Sequence, residues 1–444
     1  MTEKILDLVK RGEYGEARKE LINLNAVDIA QLFEEISQEK LLIIFRILPK
    51  DLASEVFTYM SSELQQYVIE LITDQEAVSI LDNLFIDDAV DFLEEMPSNV
   101  VKRILRNTSE ETRRIINQIL NYPEDSAGSI MTIEYVDLKK EMTVKQAIQY
   151  IKKIGIDKET IDTCYVTNNN RILEGVISLR KLVLSDDSAL VKDIMDTDVI
   201  SIYTHDDQEN VAALFKKYDY NVMPVVDVET RFVGIITVDD ILDVIDQEAT
   251  EDFQKMAAMQ PSEKEYLKTK NWTLAKHRIP WLLILMISAF FTGSIIKQYE
   301  DALQSVIILA AFIPMLMDTG GNAGSQSSTL IIRGLALGEL RTRDIFKVFR
   351  KEACISIIIG ILLAAVNFLR IYFFEKTGVL IALTVSFALF CTVVLAKVVG
   401  GTLPMVAKKL KMDPAIMAGP LITTIVDIVA LTIYFTTATW MLGI

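Results

Sequence analysis

The spacing of apolar residues divides the chain into three parts that predict different structures. From about residue 15 to residue 121, apolar side chains recur at helical spacing in short blocks, as at Ala30, Phe33 and Ile36. Polar breaks such as Ser61-Ser62 fall where the next helix would begin, and serine is a favourable cap there. The pattern predicts an all-α, superhelical domain of short helices over residues 1–125.

Residues 131–252 carry a different pattern, which occurs twice. A segment of helical period, Thr143–Lys153, precedes a strand-like run from Cys164 to Val166, and a second strand-like run starts at Gly175. About sixty residues later, strand-like runs at Met223 and Gly234 follow the same order. An internal repeat of this kind predicts two copies of one α/β module.

The duplicated segment resembles a pair of cystathionine-β-synthase-type (CBS) repeats, modules that commonly pair and sense small ligands. In such modules a Thr-x-x-Asp sequence at the strand-to-helix turn can hold a ribose. The second repeat has this sequence as Thr237 and Asp240, whereas the first has Lys181 in place of the aspartate, after Ser178. A nucleotide could therefore bind at one site at most, and we do not expect one.

Five apolar stretches follow a polar, helical, plug-like connector at residues 246–270. They are Ile279–Ile296, Ala302–Met317, Cys354–Leu369, Val379–Ala396 and Ile416–Leu442. Most have nearly the ~20 residues that a helix needs to cross ~30 Å of hydrocarbon, and the second must extend into its glycine-rich continuation. Residues 271–444 are therefore predicted to form a transmembrane domain of five helices, and the whole chain a multi-domain membrane protein.

Charge is distributed unevenly between the soluble and membrane parts. Residues 271–444 contain 9 acidic and 15 basic side chains, and residues 1–270 contain 52 acidic and 30 basic ones. Such an acidic excess repels phosphate groups, which argues against nucleic acid as a partner and makes cations the natural partners. The alternative is that the excess only keeps this half soluble.

Basic loop residues predict the orientation in the membrane. They cluster between the second and third stretches and between the fourth and fifth, at Arg333, Arg341, Arg343, Lys347, Arg350, Lys351, Lys408, Lys409 and Lys411. The loops at residues 297–301 and 370–376 are nearly charge-balanced. By the positive-inside tendency, the N-terminal half is cytosolic and the C-terminus lies outside the cell membrane.

Asp427 lies within the apolar run from Pro414 to Ile444. A carboxylate at bilayer depth costs about 2.5–3.5 kcal/mol, and such residues usually mark an ion or substrate path. The alternative is a buried structural acid neutralised by a basic residue of a neighbouring helix, for which Lys397 is the plausible partner. The sequence leaves both interpretations open.

The second stretch ends in a polar, glycine-rich segment that begins at Pro314. Asp318, Asn322 and Gln326 recur every four residues, so they should lie near one helix face. Small residues beside them permit close helix contact: Gly320, Gly321 and Gly324. The alternative is that this segment serves only as a packing interface.

The last stretch offers oxygen ligands near Asp427. Pro420 cannot donate to the carbonyl four residues back, so a carbonyl near Ile416 is expected to be free. Thr423 precedes Asp427 by one helical turn, beside Thr424. Carboxylate, hydroxyl and carbonyl oxygens together suit a hard cation.

The two segments, from Pro314 to Gln326 and from Asp413 to Asp427, closely resemble the motifs of the MgtE family of magnesium channels. The resemblance covers nearly the whole chain and implies a homodimer whose second and fifth membrane helices line one pore, where Asp427 holds a hydrated Mg2+. The pore-lining positions would be Pro314, Asp318, Gly320, Gly321, Asn322, Gly324, Gln326, Gly419, Pro420, Thr423 and Thr424. Gly419 stands where some relatives have Asn, so a side-chain amide contact is absent there.

The resemblance also implies regulatory metal sites. In relatives, Mg2+ bridges the helical domain, the CBS pair and the connector and closes the pore. The matching positions are Glu55, Asp87, Asp91, Asp207, Glu209, Asp219, Asp240, Asp243, Glu248, Glu251 and Asp252, and Asp413 of the last motif joins them as a candidate ligand. Like charges gathered at domain faces repel one another, so divalent ions that bind only the compact arrangement shift the population toward it.

Other functions compete with a magnesium channel gated by Mg2+. One is a carrier for Mg2+ or Co2+ coupled to ion exchange. Another is a membrane enzyme, although the sequence has no His–Glu zinc motif or Ser/His pair. A third is a sensor whose membrane half is only an anchor. We expect a non-enzymatic homodimer in the lipid bilayer that binds Mg2+, with Co2+, Mn2+ or Ca2+ as competing ions.

Overall fold

The computed structural model describes residues 2–262, 266–267 and 269–443, apart from the side chain of residue 288. The chain forms two compact units, divided in sequence between Val244 and Ile245. The first unit contains short helices and two small sheets, and the second contains the long apolar helices.

Ten short helices occupy residues 2–119 of the described chain. They are α1 (Thr2–Arg11), α2 (Tyr14–Leu21), α3 (Ala26–Glu35), α4 (Gln38–Ile47), α5 (Lys50–Thr58), α6 (Ser62–Leu71), α7 (Asp74–Leu81), α8 (Ile86–Glu94), α9 (Ser98–Asn107) and α10 (Glu110–Ile119). One hydrophobic core runs through all of them, from Ile5 to Ile119. The predicted all-α domain is confirmed, and its helices begin earlier than residue 15.

Side-chain capping bonds start two of these helices, α7 and α10. The Thr73 hydroxyl accepts a hydrogen bond from the Glu76 amide at 3.3 Å, and the Thr73 amide donates to the Glu76 carboxylate at 2.8 Å. Ser109 caps α10 in a similar way. Ser61 precedes α6 but makes no capping bond, so only its position was predicted correctly.

The two α/β repeats have the same sheet topology. The first contains β1 (Val136–Leu138), α11 (Val144–Ile154), β2 (Thr163–Thr167), β3 (Leu173–Ser178), α12 (Leu179–Val183) and α13 (Val191–Ile194). The second contains β4 (Ile202–Tyr203), α14 (Gln208–Tyr218), β5 (Val222–Val226), β6 (Phe232–Thr237) and α15 (Val238–Met256). In each sheet the first pair of strands is parallel and the second antiparallel, which confirms the duplication.

Five helices of the second unit are long and apolar enough to cross a membrane. They contain α16 (Asn271–Gln298), α18 (Ile313–Ala336), α19 (Ile345–Arg370), α20 (Val379–Lys409) and α21 (Gly419–Leu442). A short helix, α17 (Glu300–Ser305), follows α16 and is not one of the five. A shared apolar core packs α18, α20 and α21 together. The prediction of five membrane helices is thus confirmed.

Several predicted boundaries are wrong. The second span was placed at Ala302–Met317, but its long helix is Ile313–Ala336 and starts later. The predicted extension of this span into the glycine-rich segment is confirmed. The last helix starts at Gly419 and not at Ile416, after a separate 3-10 turn at Pro414–Met417. In the connector, the described helix ends at Met256, and residues 263–265 and 268 lie outside the described residues.

Candidate functional site

The polar residues of α18 lie on one exposed face of that helix. Asp318, Asn322 and Gln326 are all exposed in the single chain, and so is Pro314, one turn earlier. The opposite face is buried, because Gly320 and Gly321 pack against other helices. The four-residue spacing therefore predicted the shared face correctly. Close packing is present on the opposite face, and lining of a pore by the polar face stays a prediction.

Glycines allow α18 to lie very close to α21 and α20. A Cβ atom on Gly321 would stand 2.9 Å from Cγ2 of Thr423, and one on Gly324 would stand 2.8 Å from Cγ2 of Ile422. At Gly400 of α20, a Cβ atom would overlap the carbonyl of Gly324. Side chains at these positions would force the helices apart, so the glycines fix the spacing between α18 and the helix that carries Asp427.

Asp427 is half-buried on α21, and Asp318 of α18 is the charged group that acts on its carboxylate. Thr423 and Thr424 both direct their hydroxyl groups to the Pro420 carbonyl, at 2.8 and 2.9 Å. The hydroxyl oxygens keep lone pairs for a further ligand because they act as donors in these bonds. Two carboxylates and two hydroxyl groups thus belong to the same helix pair.

Pro420 does not interrupt the last helix. It lies in the first turn of α21, where the missing N–H has no intrahelical partner to lose. The expectation of a free carbonyl near Ile416 stays a prediction. The carbonyl of Met417, in the preceding turn, accepts a hydrogen bond from Ser328 at 2.6 Å.

Lys397 does not pair with Asp427. Its Nζ donates to Ser327 Oγ at 3.3 Å, and Ser327 donates in turn to Glu352 at 2.6 Å. The Lys397 and Glu352 side chains belong to residues that are only 5% and 7% exposed, so they form a separate buried network among α18, α19 and α20. Within the described residues Asp427 has no ion-pair partner. The structure therefore does not support the interpretation of Asp427 as a structural acid neutralised by a basic residue of a neighbouring helix.

A group of carboxylates gathers in the first unit between α8 and the start of α15. Asp87 is 7% exposed, and burial, together with the charge of Asp240, raises its pKa well above the ordinary value. Burial and Asp240 also raise the pKa of Asp91 to about 7. Burial raises the pKa of Asp240 itself to about 6. The resemblance had singled out these three residues, and the structure brings them together.

Two members of this acidic group were missed by sequence reasoning. Burial and the charge of Asp240 raise the pKa of Asp88 to about 6. Glu159, in the first repeat, has its pKa raised to about 7 by burial and by Asp239, and its Oε2 atom is buried without a hydrogen-bond partner. Asp88 follows Asp87 directly, so a tandem of acids was its signal. Glu159 gave none, because its acidic neighbours are remote in sequence.

The carboxylates of this acidic group repel one another, and in the described part of the chain they are not arranged as the ligands of one metal ion. Among the described residues, no three His, Cys, Asp or Glu side chains are placed to hold one metal ion. The raised pKa values nevertheless show that ionisation of these carboxylates is unfavourable here. A divalent cation is the chemical species that would offset this repulsion most directly.

The other predicted ligands of the first unit lie on its surface, although the charge of Asp243 also acts on Asp240. Glu55 and Asp243 are exposed, and so are Asp207, Glu209 and Asp219 of the second repeat. Asp207 caps α14 by accepting from the Glu209 amide at 2.9 Å, which is a structural role. Asp219 ends the same helix with a left-handed backbone, φ 52°.

The connector carboxylates of the second unit surround a lysine that the sequence analysis did not notice. Lys255 Nζ forms ion pairs with Glu251 and with Asp413, the latter at 2.6 Å. Burial and the nearby Asp413 raise the pKa of Asp252 to about 6, although Lys255 opposes this. Glu248, one turn from Asp252, also acts on it. Glu251, Asp252 and Asp413 therefore all interact with the positive charge of Lys255.

The Thr-x-x-Asp sequence of the second repeat forms a closed local motif. The Thr237 hydroxyl and amide both donate to Asp240 Oδ2, the amide at 3.4 Å. In the first repeat, Ser178 instead caps α12 by accepting from the Lys181 amide at 3.2 Å. The two repeats therefore differ at this turn as their sequences indicate.

Comparison with known proteins gives a consistent result along the chain. Residues 313–437 match the MgtE family described as divalent cation transporters, residues 24–125 match the MgtE intracellular N domain, and residues 191–247 match the CBS domain. The chain is 35% identical over 439 residues to the magnesium transporter MgtE of Thermus thermophilus, covering 98% of this chain and 97% of that protein. It is also 35% identical over 441 residues to the MgtE of Bacillus subtilis, covering 98% and 96%.

A solved structure supports the same assignment for the soluble part. The cytosolic domain of the Mg2+ channel MgtE, in complex with ATP, is 34% identical and superposes with a TM-score of 0.53. The match covers 55% of this chain and all of that domain. On its sequence similarity over almost the whole length, the chain belongs to the MgtE family.

Proposed function

We propose that this chain is a magnesium channel of the cell membrane, whose pore is lined by α18 and α21. One observation carries the proposal: the polar face of α18 with Asp318, Asn322 and Gln326 is uncovered, in a helix packed closely against the one that bears Asp427. A carboxylate and two amides facing lipid would be costly. A water-filled conduit completed by a second copy of the chain satisfies all of them.

The residues on this face suit a hydrated Mg2+ ion. Mg2+ dehydrates reluctantly, so a site that binds it through its waters needs acceptor groups at a distance rather than a tight cage. Asp427 and Asp318 supply negative charge, and the Thr423 and Thr424 oxygens accept hydrogen bonds from bound water. Selection then depends on the width of the conduit, which the glycines at the α18–α21 contact set.

The experiment that tests this proposal is Asp427→Asn in proteoliposomes loaded with a Mg2+-sensitive dye. The substitution keeps the size of the side chain but removes its charge, so we expect Mg2+ influx to fall at least tenfold. Asp301→Asn, a change of the same chemistry at an exposed position of the short helix α17, should leave influx unchanged. Normal influx in the Asp427 variant would remove this residue from the pathway. Single-channel currents would separate a channel from the alternative, a Mg2+ or Co2+ carrier coupled to ion exchange.

Gating by Mg2+ at the acidic domains follows from the electrostatics of the first unit. The carboxylates between α8 and α15 oppose one another, so the compact arrangement is favoured when cations neutralise them. Cytosolic Mg2+ would therefore stabilise this arrangement and close the channel. Asp87, Asp91 and Asp240 are the residues best placed for this, with Asp88 and Glu159 as additional ligands.

Four further expectations are also proposals. They are a homodimer, a cytosolic N-terminus, an external C-terminus, and Co2+, Mn2+ or Ca2+ as competing ions. Membership of a transporter family argues against the enzyme alternative. The ATP complex of the related cytosolic domain favours a nucleotide site at Thr237 and Asp240 more than the sequence alone did.

A further inference from the structure

A cationic concavity lies at the start of α19, in the loop that joins it to α18. Its volume is about 530 Å³, within the range of sites that hold small organic ligands. Arg341, Arg343, Lys347 and Lys351 line it. The third candidate span comprises Thr342–Glu375, so the concavity lies at the N-terminal end of this span.

The positive charge of this concavity is only partly compensated. Two carboxylates, Glu339 and Asp344, also line it. Asp344 is engaged by Lys347 at 2.6 Å and accepts a hydrogen bond from the Arg341 amide at 3.2 Å. In the part of the chain that the structure describes, Arg343 and Lys351 have no ion-pair partner. The complementary ligand is therefore an anion.

An apolar surface continues directly from the cationic residues along α19. Lys347 and Lys351 are one turn apart on the same face, and Ile358 lies two turns beyond Lys351 on that face, 71% exposed. Leu362 follows one turn later and is 65% exposed. Seven residues of helix rise about 10 Å, the step from a phosphate at the membrane surface into the hydrocarbon.

We propose that this surface binds an anionic phospholipid. Its phosphate occupies the concavity near Arg343 and Lys351, and one acyl chain lies along Ile358 and Leu362. Phe346, 84% exposed next to Lys347, covers the glycerol region of the lipid. A soluble phosphate would use only the cationic residues, whereas a phospholipid matches both the charge and the adjoining apolar face. The concavity contains none of the residues assigned to the ion pathway.

Native mass spectrometry of the full-length chain in detergent tests this inference. Phosphatidylglycerol is titrated against phosphatidylcholine of the same chain length, and the double variant Arg343→Gln, Lys351→Gln is compared with the wild type. Removing two basic residues should weaken phosphatidylglycerol binding about 30-fold and leave phosphatidylcholine binding unchanged. The matched control is Lys409→Gln, Lys411→Gln, which removes two exposed lysines from the other basic loop.

Two further measurements separate a lipid from a soluble anion. Glycerol phosphate at millimolar concentration should not displace the lipid, and Ile358→Ala with Leu362→Ala should weaken binding of long-chain more than short-chain phosphatidylglycerol. Equal binding of the two lipid classes, equal loss in the control pair, or displacement by glycerol phosphate would each overturn the proposal. If the double variant is unstable, the single exposed change Lys351→Gln provides the same test, with about fivefold weakening expected.

Discussion

The acidic group of the first unit makes a prediction that can be worked from the structure. Asp240 acts electrostatically on Asp87, Asp88 and Asp91, so a single substitution there relieves repulsion at several positions. The change Asp240→Asn is suitable because the amide retains an oxygen that can accept the hydrogen bonds from Thr237. We expect this variant to be more stable than the wild type without divalent cations and less responsive to Mg2+.

The magnitude follows from the shift of the Asp240 pKa, from 3.8 to about 6 through burial. Because the folded pKa is the higher one, the folded state holds the proton in this interval. The free energy of unfolding therefore decreases as the pH rises from about 4 to about 6, and the full destabilisation is present above about pH 6. The shift corresponds to about 3 kcal/mol at most, which screening at the partly exposed side chain reduces to about 1–2 kcal/mol.

Hydrogen exchange of the full-length chain, followed by mass spectrometry at pH 8, measures the effect locally. In EDTA, amides of α8 and of the first turn of α15 should exchange roughly 5–30 times more slowly in the Asp240 variant than in the wild type. Millimolar Mg2+ should protect these amides in the wild type and add much less protection in the variant. The reason is that part of the repulsion has already been removed.

Asp187→Asn is the matched control, because it is the same change at an exposed position of the first repeat. It should exchange as the wild type does in both conditions. The reasoning would be refuted if Asp240→Asn exchanged like the wild type in EDTA and kept the full protection by Mg2+. In that case the carboxylates would be solvated independently, and Mg2+ would act elsewhere.

Three other substitutions test contacts of the second unit. Gly321→Val should lower the free energy of unfolding by an overpacking cost of about 1–3 kcal/mol, measured as a lower thermal unfolding midpoint. Gly293→Ala, with open space around it, should leave the midpoint unchanged. Lys397→Met should destabilise the membrane helices by about 3–5 kcal/mol in the same assay, because it leaves Glu352 as an uncompensated buried charge. Adding Glu352→Gln to this variant should restore most of the lost stability. Lys255→Gln should raise the apparent Mg2+ affinity for inhibition of flux, since it removes the cation that the connector acids share; an unchanged inhibition curve would exclude competition between Lys255 and Mg2+.

Much of the architecture could be predicted because it depends on local periodicity. The short helices, the duplicated α/β module and the five apolar spans each have a repeat of apolar residues that only one type of element satisfies. The face shared by Asp318, Asn322 and Gln326 follows from spacing alone. Boundaries were less certain, because a glycine-rich sequence such as that after Met317 can either end a helix or bring two helices close together.

The sequence by itself thus determined the elements, the order of the three parts and an isolated acid in the last span. Only the tertiary structure decided which charges meet. It gave Lys397 to Ser327 and Glu352, not to Asp427, and Lys255 to Asp413. It also brought Glu159 close to acids that are more than seventy residues away in the chain. The physical reason is that electrostatic interactions depend on distance in space and on burial, and residues remote in sequence carry no periodic signal of either.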